Sequence, residues 1–192
     1  MQDLFRRSGF ALLFAALVSV PCYASTIYTA TLNGTQEVPP TTSMGTGTAD
    51  LTLDGNLLDV MVTFSGLTSG TTASHIHCCE PMGTSAGIAV PLNSLPLGVT
   101  SGSFTESFDL STTAVYSAAF LSASGGTAAD AEAALIAGLN DHMAYVNIHT
   151  TTDPGGEISG YESVSVAAVP EPSTLLLGGS MLLGIIALKK SR

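Results

Sequence analysis

Ala49-Asp50-Leu51-Thr52-Leu53-Asp54-Gly55-Asn56-Leu57-Leu58-Asp59-Val60-Met61-Val62-Thr63-Phe64 decides the fold. Ala49, Leu51 and Leu53 alternate with polar residues, and Leu58, Val60, Val62 and Phe64 do the same after the turn. A period of two places each set on one face of an extended segment. Asp54-Gly55-Asn56 supplies turn chemistry between them, so the stretch predicts a β-hairpin with one buried face.

The same period extends outward in both directions. Tyr28, Ala30 and Leu32 share a face of an earlier strand, and residues 73–77 and 87–92 read as short strands. Phe104, Phe108 and Leu110 line another, although Glu106 falls on their side. Thr127 with Asp130 makes a capping box, and Ala128, Ala131, Leu135 and Leu139 follow at helical spacing. Ala144, Val146 and Ile148 then alternate, Asp153-Pro154-Gly155-Gly156 turns the chain, and Ile158, Gly160, Glu162, Val164 and Val166 trace a closing strand. Seven or eight short strands punctuated by turns predict a mainly β domain. The expected form is an antiparallel Greek-key β-sandwich, immunoglobulin-like or superoxide-dismutase-like, with one short helix.

Charge is distributed unevenly. All five basic residues (Arg6, Arg7, Lys189, Lys190 and Arg192) lie near the two ends. Thirteen of the fifteen acidic residues lie between them, Asp3 and Glu171 being the exceptions. A domain without Lys or Arg cannot neutralise phosphates, which excludes nucleic acid as a partner. Only a histidine or a bound cation can pair its carboxylates.

The ends carry addresses. Arg6-Arg7, an apolar run over residues 10–20 and Cys22-Tyr23-Ala24 make residues 1–24 a signal peptide cleaved after Ala24. At the other end, Pro170-Glu171-Pro172 precedes an apolar run and then Lys189-Lys190-Ser191-Arg192. A transmembrane helix is expected over residues 173–188, short for a full span, with the basic tail in the cytoplasm. The three parts together resemble the PEP-CTERM sorting signal of Gram-negative bacteria, over residues 167–192. The resemblance implies export, an anchor in the inner membrane, and cleavage at Pro170, Glu171 and Pro172 by an exosortase-type enzyme. Delivery to the cell surface or exopolysaccharide then follows. About 145 residues remain between the signals, enough for one domain with its own core.

Four segments of that domain carry chemistry: Gln36-Glu37-Val38-Pro39-Pro40, Ser74-His75-Ile76-His77, Tyr145-Val146-Asn147-Ile148-His149-Thr150 and Pro154-Gly155-Gly156-Glu157-Ile158-Ser159-Gly160. Their order and spacing resemble the CHRD domain, named from chordin and found in secreted bacterial proteins. On that likeness, residues 25–166 form a β-rich extracellular module with no known reaction.

The strand pattern gives a separate handle. With Ile76 and Ile148 inward, His75, His77 and His149 leave from the opposite face, and the same parity turns Glu157 outward. An His-x-His pair plus a third histidine suits copper or zinc, with Glu157 as fourth ligand or imidazole partner. Cys78 and Cys79 follow His77 directly. They can add thiolates, remain reduced, or pair as an adjacent-residue disulfide. The competing reading is structural: His149 and Glu157 bond each other across a hairpin, while Asn147 and Thr150 satisfy turn groups. Copper–zinc superoxide dismutase shares an His-x-His strand on a β-sandwich, but its guiding arginine has no counterpart here, and no dismutase activity is expected. Glu37 and Glu157 are the one carboxylate pair that carbohydrate hydrolysis could use. No complete catalytic constellation is present, so the sequence points to a non-catalytic envelope module, with metal binding as the alternative.

Overall fold

The computed structural model describes residues 25–165. The signal peptide, the Pro-Glu-Pro motif and the helix expected over residues 173–188 lie outside the described residues. Among the described residues, no helix is long and apolar enough to cross a membrane.

Nine strands and two helices follow in chain order: β1 (Thr26–Asn33), β2 (Thr46–Asp54), β3 (Leu57–Ser65), β4 (Thr71–Cys78), β5 (Gly87–Pro91), β6 (Gly102–Asp109), α1 (Ala118–Ala123), α2 (Ala128–Asn140), β7 (Ala144–Thr150), β8 (Ile158–Tyr161) and β9 (Ser163–Ser165). The deciding stretch is the β2–β3 hairpin, paired Leu51 to Val60 and Ala49 to Val62. Gly55 takes φ +57° in the two-residue turn, a conformation that costs glycine little. Leu51, Leu58, Val60 and Val62 are fully buried, while Leu57, Asp59, Met61 and Thr63 face outward.

The expected pair of sheets is instead one antiparallel sheet curled on itself, in the order β5-β4-β7-β8-β1-β2-β3-β6, with β9 also on β1. Each end of that order is a four-stranded half, and the halves join at one register pair, Asn33 with Ser159. Gly160 allows the close approach, since a Cβ there would sit 2.5 Å from the Thr31 carbonyl oxygen. The chain crosses between halves after β3, β5, β6 and β8. Inner-face residues of both halves, including Leu51, Val60, Ile76 and Ile148, merge into one apolar cluster.

The predicted helix is α2. Thr127 Oγ1 accepts the Asp130 N–H at 3.2 Å and donates to its carboxylate at 2.7 Å, and Ala131, Leu135 and Leu139 are fully buried. Helix α1 is additional: Ser117 caps it through the Phe120 N–H, and Phe120 enters the core. Glu162, expected on the weak face of a single closing strand, sits where the chain passes from β8 to β9. It is fully buried, and neither carboxylate oxygen has a hydrogen-bond partner. Burial, with Asp50 adding repulsion, pushes its carboxyl up to about 9.

Candidate metal centre

The site lies on the outer face of β4, β7 and β8, where the register builds a grid. His77 stands opposite Tyr145, which stands opposite Tyr161; His75 stands opposite Asn147, which stands opposite Ser159; Ala73 stands opposite His149. Ile76, Val146 and Ile148 point the other way and are fully buried. Period-two parity thus brings His75, His77 and His149 to one place, as the sequence predicts. One ligand atom from each ring lies within 4.8 Å of the others.

Backbone carbonyls orient two of the rings. His77 Nδ1–H donates to the Ala86 carbonyl at 2.8 Å, and His149 Nδ1–H donates to the Pro154 carbonyl at 2.9 Å. A carbonyl only accepts, so in both neutral rings the lone pair is on Nε2. His75 Nδ1 stands 3.0 Å from His149 Nε2. Tyr145 stacks on His77, with centroids 4.8 Å apart and planes 2° apart, and its hydroxyl accepts the Ala86 N–H. Ala86 therefore clamps both rings through one residue.

Electrostatics keep the rings neutral. Burial, then the neighbouring His149 and His77, pull His75 down to about 4. Burial lowers His77 against the opposing Ala86 carbonyl, and lowers His149 against that of Pro154. Neutral imidazoles are the ligating form. A proton on His75 Nδ1 satisfies His149 Nε2, yet His77 Nε2 remains buried without a partner. One cation among the three rings would satisfy every lone pair, so the donor set fits copper or zinc.

The other predicted ligands lie elsewhere. Glu157 does not turn outward with the histidines. It is fully buried and accepts from Ser43 Oγ at 2.5 Å, Thr68 N at 2.7 Å, Thr68 Oγ1 at 2.9 Å and Thr150 Oγ1 at 2.6 Å. Burial alone would raise its carboxyl, but these bonds outweigh it and lower it. A carboxylate so engaged is committed to Ser43, Thr68 and Thr150 rather than to His149. Cys78 and Cys79 are joined as a disulfide, with Cys78 on the core face against Gly138 of α2, so neither offers a thiolate. Thr150 Oγ1 donates to Glu157 and also accepts the Asp153 N–H at 3.2 Å, so it satisfies a turn group as expected, and Asn147 lies beside His75 in the register.

Glu37 closes the far side of this face. It is 6 % exposed and borders a cleft of about 440 Å³ shared with Pro39, Pro40, Asp153, Pro154 and Gly156. Burial lifts its carboxyl to about 7, with Asp153 adding and the Ser159 hydroxyl and Val38 N–H opposing. Gly156 is required beneath it, because a Cβ there would lie 2.6 Å from Glu37 Oε2. Sequence reading left Tyr145, Asn147 and Ser159 out of the site. The alternation of Tyr145-Val146-Asn147-Ile148-His149 carried the signal for the first two.

No curated protein and no solved structure matches the chain. The family model for the CHRD domain matches residues 28–161, a span that holds every strand pairing of the grid. The chain belongs to the CHRD domain family.

Proposed function

We propose that this domain is a non-catalytic module of the bacterial envelope or extracellular matrix that holds one copper or zinc ion through His75, His77 and His149. The observation that carries the metal reading is the buried His77 Nε2, aimed at two further imidazoles and without a partner of its own. The carbonyls of Ala86 and Pro154 would serve as the outer partners that fix ring orientation. Three protein ligands leave an open coordination position. Support for export comes from the apolar run at residues 10–20 ending in Cys22-Tyr23-Ala24, and from Pro170-Glu171-Pro172 before the final apolar run and basic tail. An exosortase-type enzyme and exopolysaccharide are the partners that this pattern implies. A tagged chain that stays uncleaved in the inner membrane of its host would count against the sorting half.

Elemental analysis of the purified domain after mild dialysis tests the metal half. Stoichiometric copper or zinc is expected, lost in the His75→Ala/His77→Ala double variant while its circular dichroism is retained. Metal-free protein whose melting temperature ignores added copper and zinc would end the reading.

A further inference from the structure

Six buried side-chain atoms among the described residues have no hydrogen-bond partner: the two Glu162 oxygens, His77 Nε2, Asn147 Oδ1, Ser159 Oγ and Glu37 Oε1. His77, Asn147 and Ser159 share one sheet face, and Glu37 comes to it from the loop after β1. Asn147 stands beside His75 in the register and Ser159 beside Asn147. The Asn147 amide lies close to the His77 ring and the Ser159 hydroxyl close to the Glu37 carboxyl, in neither case with the geometry of a hydrogen bond. The four residues are 9 %, 2 %, 1 % and 6 % exposed in the order His77, Asn147, Ser159, Glu37. Buried polar groups are nearly always partnered, and a lone exception says little. Four at neighbouring positions, with imidazoles at one end and a carboxyl at the other, point to a shared polar partner.

We propose that Asn147 and Ser159, bounded by Glu37, form a binding chamber on the open side of the three-histidine metal, where a small exchangeable ligand is held between the ion and their side chains. This inference rests on the metal reading. The ligand class follows from the lining. An amide, a hydroxyl and a carboxyl offer both donors and acceptors at cross-strand spacing, roughly 5 Å per step. Water fits, and so does a small anion that coordinates by one end and accepts hydrogen bonds at the other. The side chains touch the ion's ligand rather than the ion, so their loss should leave metal binding intact.

Azide titration of the cobalt(II)-loaded domain, followed in the visible spectrum, tests the chamber. Wild type is expected to bind one cobalt per chain and to change spectrum with azide. Asn147→Ala and Ser159→Ala should keep the cobalt stoichiometry and lose azide affinity about tenfold or more, by analogy with other partners outside the ligand shell. Thr105→Ala, on distant β6, should match wild type. Asn147→Asp preserves shape and adds negative charge, so it should weaken azide further, and it supplies a second arm if an alanine variant fails to fold. Unchanged azide affinity in the folded Asn147 and Ser159 variants, with cobalt bound, would overturn the chamber and leave the metal reading standing. Wild type that binds no cobalt, copper or zinc would remove the metal reading and the chamber with it.

Discussion

Glu157 is held by donors from three separate segments: Ser43 before β2, Thr68 after β3, and Thr150 at the end of β7. Its role is to tie loops. Replacing it with alanine strands these donors in a buried site, where each lost bond to a charged partner is costly. Glu157→Ala should lower stability by about 3 kcal/mol or more, read as a lower urea midpoint, while the folded fraction keeps its metal content. The sequence reading erred here for a local reason. Alternation applies inside a strand, and β8 begins only at Ile158, after Gly156 has turned the chain at φ +128°. His75, His77 and His149 lie within β4 and β7, and for them alternation gave the right face.

At the level of elements, α2 shows how packing reverses a propensity. A glycine inside a helix usually costs about 0.5–1 kcal/mol relative to alanine, so Gly138→Ala would ordinarily stabilise. Here the added methyl group would collide with the Cys78 sulfur and lie 2.9 Å from that of Cys79. Gly138→Ala is therefore expected to destabilise, by roughly 1–3 kcal/mol, because an overfilled site shifts its neighbours. Thermal melting of the variant gives the sign directly. Nothing local announces this contact, since Gly138 and Cys78 are sixty residues apart in sequence. The Thr127 cap and the Leu135 and Leu139 spacing are local, and they made α2 legible. Helix α1 spans six residues, too few for its period to stand out.

For the molecule as a whole, buried titratable groups set opposing pH limits. His75 has an ordinary value of 6.5 and sits at about 4 in the fold, so its neutral form favours folding. That stability is complete above pH 6.5 and is lost as pH falls toward 4. Glu37 and Glu162 have ordinary values of 4.5 and rise to about 7 and about 9. Their protonated forms favour folding below pH 4.5, and that contribution is lost as pH rises through 7 and then 9. The metal-free domain should therefore weaken on both sides of mildly acidic pH, by at most about 1.4 kcal/mol per pH unit for each proton exchanged. Urea midpoints from pH 5 to 9.5 measure this. Glu162→Gln should flatten the alkaline limb, and an unchanged limb would assign it to other groups. The mainly β fold was legible from period and turns. The seam that makes two halves one sheet was not, because Asn33 and Ser159 meet only through tertiary folding.

The lack of Lys and Arg between residues 25 and 165 reaches beyond ion pairing. Trypsin-class proteases cut after those two residues, so they find no cleavable bond in this stretch, folded or unfolded. Under the export proposed above, composition alone gives the domain durability among such enzymes, independent of how tightly its strands hold.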